Sequence, residues 1–296
     1  MINRESQIKI ERLNHISQSN ALDPDTYIPW DLKIEDALAI MPNHLFSLYE
    51  TDLISTLSIT QIRELQKWEL SQVMSVYAWS ESMACLVFNE MLFEHMPNSE
   101  IGKYLVNMSI EEYRHQKMFT RIVENIGVES RRYSKFHYWT AKFYTKVFSA
   151  QTKFVAILAI EQVSDMYGRH LRRDSKVSEI LHKACELHSI EEGRHMAFQK
   201  ICIDQFITKK SIATRSILSV YMALTIWFMR TQYIKLFFFE EVGLPNPKLF
   251  HRIAQKNYRR LFGEYCVADS MQYANSIGLM NGFTRFFWKI ILKAKI

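Results

Sequence analysis

The chain has 296 residues, of which 48% are hydrophobic, with only 8 Gly and 6 Pro. This composition allows a large core but supplies few of the turns that a many-stranded β-sandwich needs, so it favours an all-α protein. The net charge of +6 is moderate, and the basic residues form short clusters without a nucleic-acid-binding motif. We therefore expect no nucleic-acid partner, although the clusters could dock an acidic carrier protein or redox partner.

The N-terminal segment, residues 1–57, is expected to be a strap on a single domain that covers residues 1–296. Residues 1–20 are polar and carry no secretory signal, which predicts a cytoplasmic protein. Three prolines, Pro24, Pro29 and Pro42, follow close together and favour an extended path over a helix. The strap is therefore expected to wrap a helical bundle.

Four long helices are predicted between residues 58 and 210. The first begins at a capping box, Ser58 with Gln61, and continues at helical spacing to residue 96. The second begins at Asn98 or Ser99 and ends at Gly127. An aromatic-rich helical stretch at 133–150 precedes the third, 151–172, and Asp174 or Ser175 is expected to cap the fourth, which continues to about residue 207. Two helical hairpins result.

Additional helices are predicted in residues 211–296. Residues 211–241 suggest one apolar helix, 243–247 a break, and the remainder two shorter helices that end in a basic amphipathic segment. The apolar run 217–228 has 12 residues, whereas a membrane span needs about 20. It is predicted to be a buried helix, so no transmembrane segment is expected.

One motif, E-E-x-R-H, occurs twice, at residues 111–115 and 191–195. Residues at i and i+3 share a helix face, so Glu112 with His115, and Glu192 with His195, can each offer an oxygen and a nitrogen to one metal ion. A single solvated Glu/Arg face would be an adequate explanation of one such motif, but not of two.

Each motif has a glutamate at the same distance upstream. Glu81 precedes Glu111 by 30 residues, and Glu161 precedes Glu191 by 30. In an antiparallel hairpin these residues lie at similar depths, about 20 Å from the turn at 1.5 Å per residue in the first hairpin. Four carboxylates and two imidazoles are therefore predicted to converge in the middle of the bundle.

Burying four carboxylates requires positive charge, which two divalent cations would supply. Oxygen-rich ligands with imidazole suit iron or manganese better than zinc or calcium. The sequence thus predicts two iron ions, and the same ligands would also suit a manganese–iron pair.

The remaining motif residues are assigned supporting positions. Glu111 and Glu191 lie about 100° around the helix from the predicted ligands, so they are expected to accept hydrogen bonds from the ligand histidines. Arg114 and Arg194 are expected to take part, although surface pairing would also explain all four. His188 lies on the face of Glu192 and is predicted to be a third histidine ligand; a core histidine is the alternative.

These motifs resemble the p-aminobenzoate N-oxygenase (AurF-type) family of ferritin-like di-iron oxygenases. That family has two E-x(28–37)-[DE]-E-x-x-H repeats and an extra histidine before the second, a pattern that His188, Glu192 and His195 reproduce. The resemblance covers roughly residues 20–210. It implies a ferritin-like helical bundle with a four-helix di-metal site.

The resemblance also implies an oxygenase in which iron reduces dioxygen, supplied with electrons by an external donor, to a bridging peroxo species that oxygenates a small amine or arylamine. The alternatives are a C–H hydroxylase or desaturase acting on an acyl or carrier-bound substrate, and an iron-storage protein of the ferritin type. A homodimer is expected in solution.

Overall fold

The computed structural model describes residues 3–128, 148–207 and 209–294, with the single positions 139, 142, 143 and 146. In that part of the chain the secondary structure comprises eleven α-helices and three 3₁₀ helices, with no strand, so the all-α prediction is confirmed. The predicted aromatic-rich helix at 133–150 lies almost entirely outside the described residues.

The helices are numbered here in chain order over the described residues. They are α1 Arg4–Ser19, α2 Pro24–Tyr27, α3 Ile59–Leu92, α4 Glu100–Ile126, α5 Ala150–Arg173, α6 Glu179–Ile207, α7 Ile212–Arg230, α8 Leu236–Glu241, α9 Pro247–Tyr265, α10 Ala268–Ser276 and α11 Gly282–Leu292. The 3₁₀ helices are Ile34–Asp36, Asn43–Leu45 and Asp52–Thr56.

The bundle core consists of two hairpins, α3 with α4 and α5 with α6. Local signals set several of their ends as predicted. The Ser58–Gln61 capping box starts α3, Ser99 caps α4, and Gly127 ends α4 in the left-handed conformation at φ 77°. The predicted helix pairs are therefore confirmed. These helix ends could be predicted from the sequence because caps act over three or four residues and need no tertiary contact.

Two predicted boundaries were wrong. Helix α3 stops at Leu92, before residue 96, and a turn connects it to Ser99. Helix α6 begins at Glu179, later than a cap at Asp174 or Ser175 would give. The Asp174 carboxylate instead accepts from the Lys176 amide in a turn, which uses the capping side chain locally.

The N-terminal segment is more structured than a strap. Residues 4–19 form a 16-residue helix, capped by the Asn3 side chain, that packs on α4 and α6. Residues after α2 do wrap the bundle in short turns. The Asn125 side chain holds the backbone of Ile34 and Leu32, and Asn257 holds the carbonyls at Ser47 and Tyr49.

The region after residue 210 also differs from the prediction. The expected helix 211–241 is divided into α7 and α8, and three further helices follow the break at Gly243. Only about a third of helix α7 is buried. Leu218, Met222 and Ile226 face the core, whereas an apolar outer face stays exposed. By length and composition α7 is the one described helix that could cross a membrane, a test that core helices of water-soluble proteins also pass.

Candidate metal centre

The seven sequence-predicted ligands lie together in the bundle and all are buried, each at most 5% exposed. Glu81 comes from α3, Glu112 and His115 from α4, Glu161 from α5, and the remaining three from α6. Helical spacing and antiparallel pairing bring them to one depth. The structure thus joins residues that are up to 114 positions apart.

The ligand atoms form two groups of four. One contains Glu81, His115, His188 and Glu192; the other contains Glu112, Glu161, Glu192 and His195. Within each group the four atoms lie within 4.8 Å of one another. Glu192 belongs to both, so two cations could occupy adjacent positions on either side of one carboxylate.

The two motifs are interleaved, which differs from the expected assignment of one motif to one metal. The Glu112 oxygens lie 3.1 Å from His115 Nδ1 and 3.2 Å from His195 Nδ1. Glu192 Oε1 lies 3.4 Å from His115 Nδ1 and 3.7 Å from His195 Nδ1. Each motif carboxylate therefore faces both imidazoles, because α4 and α6 cross the site side by side.

The outer ring nitrogens are held by the first glutamate of the opposite motif. His115 Nε2 donates to Glu191 at 2.8 Å, and His195 Nε2 donates to Glu111 at 2.6 Å. A proton fixed on Nε2 leaves Nδ1 as the nitrogen that a metal ion would bind once its own proton is displaced, as a neutral imidazole ligand requires.

The two arginines neutralise these outer carboxylates, again across the motifs. Arg114 donates to Glu191 at 3.0 Å, and Arg194 donates to Glu111 at 2.8 Å. The N-terminal segment holds both arginines: Arg194 also donates to Ser17 on α1, and Arg114 to the Leu22 carbonyl.

The protonation equilibria of the inner carboxylates are displaced in opposite directions. Burial, reinforced by Glu112, raises the pKa of Glu81 to about 8. Burial and the charges of Glu192 and Glu112 raise the pKa of Glu161 well above its ordinary value. Burial opposes charge on Glu192 too, but His188 and His195 hold its pKa well below the ordinary value.

The histidines show the complementary effect. Burial alone would lower the pKa of His115 and His195, yet the surrounding glutamates raise the pKa of both well above the ordinary value. Protons thus supply part of the positive charge that four carboxylates need. Divalent cations would replace those protons, so metal affinity should rise with pH.

The residues fit a pair of metal ions. Six buried ligand atoms make no hydrogen bond within the described residues: Glu112 Oε1, Glu161 Oε2, His188 Nε2, both oxygens of Glu192, and His195 Nδ1. Leaving so many polar atoms unsatisfied is costly, and their convergence gives them a common partner in a cation. Carboxylates with imidazoles suit iron or manganese.

Three contacts of the site were not predicted. Gln199 donates to Glu161 Oε1 at 2.6 Å, and it lies one turn after His195, so helical spacing could have indicated it. Ser17 and the Leu22 carbonyl carried no signal, because only the packing of the N-terminal segment brings them to the arginines.

An apolar cavity of about 290 Å³ lies between α3, α5 and α7. Met83, Ile157 and Trp227 are among its lining side chains. Ile157 is one helical turn before Glu161, so the cavity borders the face of α5 that carries a predicted ligand.

Comparison with known proteins agrees with this geometry. A family model described as P-aminobenzoate N-oxygenase AurF matches residues 3–278. Among curated proteins, the "Uncharacterized protein Rv0885" of Mycobacterium tuberculosis and the "Uncharacterized protein Mb0909" of Mycobacterium bovis are each 24% identical to the chain over 233 residues. Each alignment covers 77% of this chain and 68% of the relative.

Proposed function

The chain belongs to the p-aminobenzoate N-oxygenase AurF family of di-iron oxygenases, and we propose that it oxygenates a small amine, most favourably an arylamine, at a pair of iron ions. The observation that carries this proposal is the carboxylate of Glu192, which belongs to both four-residue groups. A carboxylate shared by the two groups would let the protein hold two metal ions in one buried site, as in other carboxylate-rich helical bundles.

Seven residues would hold the ions. Glu81, His115 and His188 would hold one ion, and Glu112, Glu161 and His195 would hold the other. Glu192 belongs to both groups. When bound, the two iron ions would supply the reduction of dioxygen, with electrons from an external donor. The protein would supply the Nε2–H hydrogen bonds to Glu111 and Glu191 that hold the imidazoles, and a buried site from which bulk water is excluded.

His188 would make the two positions unequal. It adds a second imidazole to the group that contains Glu81 and His115, whereas the other group has His195 alone. Its Nε2 lies 3.2 Å from Glu192 and 3.6 Å from Glu81. We expect the two ions to differ in ligand number and therefore in affinity and spectrum.

The apolar cavity supports the proposed substrate class. Its lining around Met83, Ile157 and Trp227 would bury an aromatic ring, and it has few polar groups to hold a charged acyl carrier arm. An arylamine of one ring is compatible with its volume of about 290 Å³.

The metal assignment is tested by anaerobic titration with Fe(II). We expect about two iron ions per chain, and fewer in Glu112→Ala. The matched control is Glu124→Ala, an exposed glutamate on the same helix, which should keep the wild-type number. Equal loading of the two variants would remove the basis of the proposal.

The reaction is tested by dioxygen consumption of the reduced, iron-loaded chain with p-aminobenzoate and related arylamines. Amine-dependent formation of an N-oxygenated product supports the proposed class. Oxidation of an acyl carrier substrate with no arylamine turnover would instead favour a hydroxylase or desaturase. A cage-sized particle that stores iron without turnover would favour a ferritin.

A further inference from the structure

A second cavity, separate from the metal centre, lies between the end of α7 and one face of α9. Its volume is about 340 Å³. Half of its eight lining residues are cationic and none is acidic: the cations are Arg230, Arg252, Lys256 and Arg259. Nothing in the proposed oxygenase chemistry uses this site.

The sequence of α9 places three of these cations on one side of the helix. Arg252, Lys256 and Arg259 follow at i, i+4 and i+7, which align on a single face. Arg230, the last residue of α7, approaches them from the other wall. Tyr258 is buried and lines the cavity between them.

The cations are not neutralised by the protein. No described carboxylate lies within salt-bridge distance of any of the four, although the neighbouring Arg260 pairs with Glu50 and Glu264. The Nε atoms of Arg230 and Arg259 are buried and make no hydrogen bond within the described residues. Arg259 does donate through Nη2 to the Ile290 carbonyl. Burial, with the charge of Arg259, lowers the pKa of Arg230 to about 10, as expected of cations that repel one another.

The surrounding sequence strengthens the positive potential. Residues 205–296, which include α7 and α9, contain 14 Lys and Arg and four Asp and Glu, a net charge of +10. Since the whole chain has a net charge of +6, residues 1–204 carry a net charge of −4. The positive charge is therefore concentrated in the C-terminal region that forms the cavity, where it would attract an anion.

We propose that this cavity binds the phosphate group of a small organic phosphate. A phosphate ester carries about −1.5 to −2 charges near neutral pH and offers three acceptor oxygens, which suits several guanidinium donors better than one carboxylate would. The volume leaves room for an organic part beside Tyr258 and Ile234. The phosphate could belong to a soluble metabolite or to a lipid headgroup, since Leu224 and Trp227 on α7 are exposed apolar side chains.

The decisive measurement is calorimetric titration of the full iron-loaded chain with glycerol 3-phosphate, with glycerol as the uncharged control. We expect saturable binding of the phosphate ester only. Lys256→Gln should weaken it at least tenfold, because one charge-assisted contact is lost. Lys248→Gln removes the same charge from an exposed lysine on the same helix, outside the cavity, and should change affinity less than twofold.

Equal weakening by both substitutions would show only general attraction to a basic surface and would overturn the proposal, as would the absence of binding. Arg230→Gln supplies an independent readout. Without ligand it should raise the melting temperature by relieving repulsion with Arg259, and it should abolish the further rise that glycerol 3-phosphate gives the wild type. A fall in the melting temperature of the ligand-free variant would contradict the proposed repulsion.

Vesicles distinguish the two sources of phosphate. Co-sedimentation with phosphatidic acid vesicles, absent with phosphatidylcholine vesicles and lost in Lys256→Gln, would assign a lipid headgroup. Binding of glycerol 3-phosphate without vesicle binding would assign a soluble ester.

Discussion

Adjacent glutamates in each E-E-x-R-H motif have different environments because successive helical residues are separated by about 100°. The second glutamate, Glu112 or Glu192, lies between the histidine Nδ1 atoms. The first, Glu111 or Glu191, contacts the Nε2 atom of the opposite motif. In each motif the second glutamate therefore faces the candidate metal centre, and the first holds the histidine of the opposite motif in position.

We expect Glu111→Gln to weaken iron binding without unfolding the chain. The amide keeps the shape of the side chain but reduces the charge that supports His195, and such outer contacts contribute about 10–100-fold to metal affinity. Competition with a chelator measures the effect, and the charge-matched control is Glu124→Gln at the exposed end of α4. If the two variants hold iron equally well, Glu111 has only a structural role.

Glu69 is a buried acid outside the metal centre. It accepts from the Ser47 amide at 3.0 Å and from the Ser47 hydroxyl, yet burial raises its pKa to about 8. The folded state therefore binds this proton more tightly than the unfolded chain, whose glutamates titrate near 4.5.

This difference predicts a pH dependence of stability. The contribution of Glu69 is fully present below pH 4.5 and is lost as the pH rises to about 8, by up to about 1.4 kcal/mol per pH unit. Glu69→Gln cannot titrate and should lack this component. Urea unfolding of the metal-free wild type and of metal-free Glu69→Gln at pH 5 and pH 8 isolates this contribution. If the free energies of unfolding of the two chains differ by the same amount at both pH values, Glu69 is already ionised in the folded protein.

At the scale of the element, the turn between α3 and α4 fixes the depth at which Glu81 meets Glu112. Gly102 lies in the first turn of α4, where a Cβ atom would be 2.4 Å from the Met96 carbonyl oxygen. Gly193 lies in the middle of α6, between Glu192 and Arg194. A Cβ atom added there would meet no atom of another part of the chain within 4 Å. Only the first glycine is required by close backbone approach.

Alanine substitutions at these two glycines should therefore have opposite effects. Gly193→Ala should raise the free energy of unfolding by about 0.5–1 kcal/mol, because alanine restricts the unfolded chain and fits the helix. Gly102→Ala should lower it, since backbone must shift to admit the methyl group. Denaturant unfolding of both variants provides the comparison. A lower free energy of unfolding in Gly193→Ala would contradict the conclusion that a methyl group fits at this position without a clash.

At the scale of the whole molecule, the candidate centre connects both hairpins and the N-terminal segment. Its seven inner residues come from four helices, and Arg194 and Arg114 extend the network to Ser17 and Leu22. Metal binding would therefore stabilise the whole bundle and not one helix.

Metal removal should lower the stability of the entire chain. At a free Fe(II) or Mn(II) concentration 100 times the dissociation constant, native-state binding adds about 2.7 kcal/mol per site. Anaerobic thermal unfolding with metal and with chelator measures this increment, which should grow with pH as the ligand protons are displaced more easily. Glu112→Ala should lose most of it; a full increment in that variant would place the stabilising metal elsewhere.

Much of this protein could be predicted from local sequence. Helical spacing, the Ser58 and Ser99 caps and the Gly127 stop act over a few residues, so they determined the hairpins and the depth of the four glutamates. The end of α7 and the start of α6 were misjudged, because apolar spacing continues through a turn and several polar residues can cap a helix.

The tertiary structure alone decided which residues face one another. The crossing of the motifs, the contact of Arg194 with Ser17 and the meeting of Arg230 with the basic face of α9 each join segments far apart in the chain. Their relative position depends on how whole helices pack. Helical periodicity predicts which face of a helix is apolar, but it does not predict which neighbouring helix packs against that face.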